Sequence, residues 1–253
     1  MANIYDYPEY YEIAFSFRDI KAEVGVFEQC FKRFSKIPVR SVLELGCGTC
    51  PHMGELQKRG YQYSGLDLNE TMLKYAQKKA SSIGGKANFF HRNMINFSLK
   101  KKFDFIYILL GSLDAKNILD LVHHFGAVAK ALNKEGLYFL DWCIQFPPFD
   151  SAESWVIKKG RIEVKTTFSL RPLNRVAQLF EETIKFEVND YGKKINIVGK
   201  GVKKAIYPQE FLMLVYSLKD FEFLGWWNNW NLKKPLENAG NKINRPIVLL
   251  RRK

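Results

Sequence analysis

The chain has only four cysteines in 253 residues, Cys30, Cys47, Cys50 and Cys143, and their spacing forms no disulfide framework. No apolar run reaches the ~18 residues that a spanning helix needs, so no membrane partner is expected. The N-terminal stretch, Met1 to Arg18, is acidic and aromatic, not a basic segment followed by an apolar one, and does not read as a secretory leader. A reduced, cytoplasmic protein is the expectation. Internal repeats and low-complexity segments are also missing. Acidic residues are in deficit: 26 Asp and Glu against 39 Lys and Arg, a net charge of +13. That balance suits anionic partners. The lysines are scattered in short groups such as Lys100-Lys101-Lys102 and Lys203-Lys204, however, as on a solvated surface.

What is present is ordinary for a globular protein, with 47% hydrophobic and 26% charged residues. A chain of this length buries a sizeable core without a disulfide or metal staple. Apolar residues at Ile13, Phe17, Ile20, Val24, Phe27, Phe31 and Phe34 keep a helical period over residues 9–36. Strands then alternate with helices: a strand at 39–45, a helix at 53–59, a strand at 62–68, and a helix at 70–80 capped by Asn69. Strands follow at 87–91 and 103–110, then a helix at 118–132 and a strand at 137–143. This order predicts a mostly parallel sheet with helices on both faces. Beyond Pro147-Pro148 the pattern changes. Segments 155–159, 163–170, 177–188 and 195–205 are separated by turn signals without a long helix, and read as an antiparallel insertion. Pro208 opens a last helix, to Leu218, and 221–230 and 245–251 return as strands.

The first strand ends Glu44-Leu45-Gly46-Cys47-Gly48, where the glycines permit a tight turn and close approach of a ligand. Asp67 ends the next strand about 20 residues on, where a carboxylate can accept ribose hydroxyls. Glu44 would repel a dinucleotide phosphate but suits a ligand carrying an ammonium and a sulfonium. The charge argument therefore prefers S-adenosylmethionine to NAD.

Val42 to Thr49 resembles the first signature motif of the class I S-adenosylmethionine-dependent methyltransferases, and Gly65-Leu66-Asp67-Leu68 resembles the second. His91 to Phe97 occupies the place of the third, with Asn93 where the family usually has an Asp that contacts the adenine amine. Phe103 to Leu113 is similar to the fourth, and Leu132 to Leu137 to the turn before the fifth strand. Cys50 stands where glycine is common. The resemblance covers residues 1–143 well and the rest more loosely. It implies a Rossmann-like, doubly wound α/β fold with a seven-stranded sheet. The core with its N-terminal lid would occupy 1–143, a substrate-side antiparallel insertion 144–206, and the return to the sheet 207–253. It implies a cofactor site of Tyr11, Arg18, Glu44, Gly46, Cys47, Gly48, Asp67, Leu68, Met72, Asn93, Met94 and Leu110.

Arg18 is a candidate partner for the methionine carboxylate. Tyr5, Tyr7, Tyr10 and Tyr11 form either an aromatic cap on the core or a lid over the cofactor. Ser112, Asp114 and Asp141 sit at the sheet edge where ligands bind and are the candidate catalytic residues. Asp114 could equally cap the following helix. Cys47, Cys50 and His52 invite a metal reading, but zinc needs a fuller ligand set. His123 and His124 lie mid-helix, with a surface or packing role. Trp226, Trp227 and Trp230 could stack on a base but suit the core or a sheet edge. The expected reaction is methyl transfer to an N or O atom of a small-molecule acceptor, with an anionic one suiting the charge, by a monomer or homodimer. RNA as acceptor rests on the net charge alone, and the Asn/Asp-Pro-Pro-aromatic run of amino-base methylation is absent after the fourth strand. A non-catalytic binding protein of the same fold is the other alternative.

Overall fold

The computed structural model describes residues 3–146 and 151–253; the Pro147-Pro148 break lies outside them. Seven strands form the main sheet: β1 (Ser41–Leu45), β2 (Gln62–Asp67), β3 (Asn88–His91), β4 (Phe103–Ile108), β5 (Leu132–Asp141), then β10 (Phe221–Trp227) and β11 (Ile247–Arg252). Their order is β10-β11-β5-β4-β1-β2-β3. All pairs among the first five strands are parallel, and β11 runs antiparallel to both neighbours. The expected Rossmann-like architecture is thus present, and the carboxyl ends of β1, β2, β4 and β5 share one edge.

Alternating side chains of the buried strands feed two cores. Leu43, Leu45, Ile106, Ile108 and Leu140 pack with α5 (Ile118–Ala131) and α6 (Pro208–Leu218). Val42, Tyr63, Phe105, Tyr107 and Phe139 pack with α2 (Ile20–Phe34), α3 (Met53–Lys58) and α4 (Glu70–Ser82). Covering both faces explains why β1 and β4 are buried at every position.

One expected helix is two. The period over 9–36 is interrupted between α1 (Pro8–Ala14) and α2, because the Asp19 side chain accepts the Ala22 amide and caps a new helix. The strand expected at 137–143 starts at Leu132, directly from α5. Asn69 caps α4 as expected, by accepting the Met72 amide at 2.9 Å. The cap of α5 is Asn117 and not Asp114.

The insertion is a separate antiparallel meander of β6 (Ser151–Lys159), β7 (Ile162–Asn174), β8 (Leu179–Asp190) and β9 (Lys193–Lys204). A third core joins it to the N-terminus: Ile4, Ile13 and Ala14 pack on Val164, Ile184, Phe186 and Ile197. Trp155 Nε1 donates to the Ala14 carbonyl at 2.7 Å, and Tyr10 donates its hydroxyl to Asp190 at 2.8 Å. The aromatic N-terminus therefore rides on the insertion sheet.

Candidate active site

The turn after β1 is held by its own backbone and by β2. Gly46, Gly48 and Cys50 have φ of 63°, 50° and 52°. Cys50 thus adopts the left-handed conformation of the glycine it replaces, at a cost on the order of 1 kcal/mol. A Cβ on Gly46 would lie 3.0 Å from Met94 Cε, so the bare backbone keeps a cradle open between the turn and the loop after β3. Asp67 Oδ2 accepts the Gly48 amide at 2.8 Å and Oδ1 the Asn69 amide at 2.8 Å. Burial raises the Asp67 pKa, and these amide bonds partly offset the rise.

Two adjoining cavities open along this edge. The first, about 260 Å³, is lined by Arg18, Glu44, Cys47 and Leu110. The second, about 410 Å³, is lined by Asp67, Leu68, Asn93 and Met94. Tyr11, Gly46, Gly48 and Ser112 line both and mark the junction. From the opposite side, Glu182, Gly199 and Lys203 of the insertion close the second cavity, with Asp114 and Tyr5. Most of the residues implied by the signature motifs therefore converge. Met72, buried within α4, lines neither cavity, and neither does the candidate catalytic residue Asp141, buried at the sheet edge.

Glu44 is buried, and its Oε2 accepts the hydroxyls of Tyr63 at 2.5 Å and Tyr107 at 3.0 Å. Its Oε1 lies 3.7 Å from His52 Nδ1, which has no hydrogen-bond partner among the described residues. His52 Nε2 is 2.8 Å from Glu23. Arg18 faces the first cavity, but its guanidinium donates to both Glu23 oxygens, at 3.1 and 2.5 Å. Burial opposes ionisation of Glu23, yet the bonds from His52 and Arg18 hold its pKa well below the usual range. Burial also raises the hydroxyl pKa of Tyr11 and Tyr5, reinforced at both by the carboxylates of Glu182 and Asp67. Both tyrosines stay protonated donors.

The fourth-motif loop is shaped by Asp141. Its carboxylate accepts the Leu110 amide at 3.0 Å, Trp230 Nε1 at 2.8 Å and Arg245 at 3.2 and 2.9 Å. Ser112 and Asp114 lie on the cavity side of that loop, with Asp114 paired to Lys116 at 2.5 Å. Lys203 bridges Glu182, at 2.9 Å, and the Gly111 carbonyl, at 3.3 Å, joining the insertion to the same loop.

Glu23, Arg245, Glu182 and Lys203 carry no motif signal, because each acts through a partner distant in sequence. No metal-binding cluster occurs among the described residues. His123 is exposed, whereas His124 is buried against the Met94 carbonyl and Tyr138. Trp226 and Trp227 are buried, and Trp230 packs on Phe27 and Phe139.

Residues 42–136 match the family model described as methyltransferase domain. An inferred methyltransferase of Geobacillus sp. (strain WCH70) is 26% identical over 163 residues, 64% of this chain and 66% of the relative. The chain thus aligns with just under two thirds of that relative's length. Among solved structures, an S-adenosylmethionine-dependent methyltransferase from Clostridium acetobutylicum superposes with a TM-score of 0.75 at 18% identity, covering 96% of this chain and 95% of that one. CalS10, an amino pentose methyltransferase from Micromonospora echinaspora, superposes with a TM-score of 0.73 at 16% identity, covering 96% of each. The fold is the one that Rossmann-like methyltransferases adopt. Residues 42–136 are thus similar to a methyltransferase domain, and the four-stranded insertion lines the second cavity at the ligand edge.

Proposed function

We propose that the chain is an S-adenosylmethionine-dependent methyltransferase acting on an N or O atom of a small-molecule acceptor. The observation that carries this reading is the pair of cavities meeting at Tyr11, Gly46 and Ser112. One presents a buried carboxylate, Glu44, the other a strand-end carboxylate, Asp67, and the insertion closes the second from outside. The residues fit the cofactor. The Gly46 cradle would be filled by a Cβ, and the donor set is anionic where an ammonium and a sulfonium must lie. Asp67 and Asn93 would hold the nucleoside, and Glu44, Gly46 and Leu110 the amino-acid end.

When bound, S-adenosylmethionine supplies an electrophilic methyl group. The chain's own work is positioning and exclusion of water. Tyr11 and Ser112 stand at the junction, where an acceptor atom can be aligned. Asp114 and Glu182 offer carboxylates beside that point, suited to orient an amine or hydroxyl. Their pairing with Lys116 and Lys203 keeps the cavity near neutrality, a polar setting for a polar metabolite. The likeness to an amino pentose methyltransferase agrees with a small, polar acceptor.

Calorimetry with S-adenosylmethionine tests the cofactor. The natural protein releases binding heat and Asp67→Ala releases little; no heat from either protein ends this reading. Transfer of labelled methyl to a panel of small amines and polyols then identifies the acceptor class. RNA binding that weakens steeply with salt, together with label incorporated into RNA, would favour a nucleic-acid acceptor instead.

A further inference from the structure

We propose that Arg245 is a positioning residue that clamps the two walls of the cofactor's amino-acid pocket. The inference rests on the cofactor reading above. Arg245 lies between β10 and β11, far in sequence from every motif. Its Nε and Nη2 donate to Asp141 at 3.2 and 2.9 Å, and its Nη1 donates to Glu23 at 2.8 Å. The guanidinium also stacks 4.6 Å from the centre of the Trp230 ring, and Trp230 donates to Asp141 in turn.

Each carboxylate controls one wall of the first cavity. Asp141 accepts the Leu110 amide, and its own carbonyl accepts the Gly111 amide at 3.0 Å. These two bonds hold Leu110 and Gly111 at φ of 53° and 62°, a conformation that leucine avoids when unconstrained. Leu110 and Ser112 line the cavity from that turn. On the other wall, Glu23 holds Arg18 and His52, and His52 Nδ1 faces Glu44. Glu23 and Asp141 are 5% and 0% exposed, so neither can be satisfied by bulk water in place of Arg245. A planar guanidinium can serve both carboxylates at once, whereas an ammonium is a compact point charge.

The adenosine wall is built differently, from Asp67, Asn93 and Met94, whose hydrogen bonds run to Gly48, Asn69, Ile95 and His124 and not to Arg245, Asp141 or Glu23. The clamp therefore governs the amino-acid end and not the nucleoside end. Its test uses S-adenosylhomocysteine and 5′-methylthioadenosine, which lacks the amino-acid moiety, as calorimetric ligands of the natural protein and of Arg245→Ala and Arg245→Lys. Measurements are made well below each variant's melting temperature.

The affinity of both variants for S-adenosylhomocysteine falls by roughly ten- to a hundredfold, while 5′-methylthioadenosine binds as before. Added guanidinium ion restores much of the lost affinity in Arg245→Ala and none in Arg245→Lys. Unchanged affinity for S-adenosylhomocysteine in a folded variant overturns the clamp, as does an equal loss of both ligands. If Arg245→Ala does not fold, Arg245→Lys decides the matter alone. Absence of S-adenosylhomocysteine binding by the natural protein refutes the cofactor reading itself and is seen before any variant is made.

Discussion

The Asp67 carboxylate and the Gly48 amide are joined by a 2.8 Å hydrogen bond, so the end of the second strand and the glycine turn after the first form one unit. Asp67 therefore has two duties, holding the turn and presenting a carboxylate to the second cavity. Asp67→Asn retains one oxygen for an amide but places an NH2 where an acceptor is needed. Unfolding by urea shows a loss of about 1–3 kcal/mol. Nucleoside affinity, read by calorimetry, drops further than that stability loss accounts for. A variant of native stability and native affinity would contradict the dual role.

Gly65, the first residue of the second motif, is required by Cys47. A Cβ there would lie 2.7 Å from Cys47 Sγ and 3.1 Å from Cys47 Cβ. Gly65→Ala is expected to cost about 1–3 kcal/mol through overpacking. Cys47→Ala removes the sulfur and should recover part of that loss when the two changes are combined. A double-mutant cycle in urea reads the coupling; strict additivity would show that the sulfur is not the obstacle.

His124 makes stability depend on pH. Burial pushes its imidazole down to about 4, and the ring lies 2.7 Å from both the Met94 carbonyl and the Tyr138 hydroxyl. It is neutral in the folded chain and takes up a proton when unfolded below the ordinary histidine value. The unfolded state then binds more protons, so stability falls as pH drops from about 6.5 towards 4, by on the order of 3 kcal/mol across that window. His124→Gln should flatten this part of the profile while lowering stability at pH 7. Urea midpoints at successive pH values give the answer, and an unaltered slope in the variant assigns the effect elsewhere.

Helix α1 is latched to α4 beside the first cavity. Glu12 of α1 accepts the Tyr75 hydroxyl at 2.5 Å and an ion pair from Lys79, and Lys79 also donates to the Thr49 carbonyl at 3.2 Å. Glu12, Lys79 and Thr49 line the first cavity. Glu12→Ala costs only about 1 kcal/mol of stability, because the pair is partly solvated. Its main effect is on release: S-adenosylhomocysteine dissociates faster in stopped flow, and the N-terminal helix is cut sooner by protease. Unchanged rates in both assays would leave the latch without a role in retention.

Much of this protein was legible in residue order alone. Strand and helix periods are local, so the alternation that builds a parallel sheet, the Asn69 cap and the turn residues of the insertion can be read directly. The glycine turn and Asp67 are legible for the same reason, since a ligand at a strand end needs particular residue types at short spacing. The break between α1 and α2 was hidden because the apolar period runs through it, and only the Asp19 cap reveals a new start.

Tertiary structure decided everything that depends on partners far apart in the chain. Asp141 stood in the sequence as a candidate for chemistry; in the fold its carboxylate is taken up by Leu110, Trp230 and Arg245. Arg18 read as a partner for the methionine carboxylate; in the fold its guanidinium is bonded to Glu23. Lys203 and Glu182, unmarked in a lysine-rich chain, meet at the cavity wall. Burial made these pairings necessary, because a charge removed from water must find its opposite wherever the fold brings one within reach.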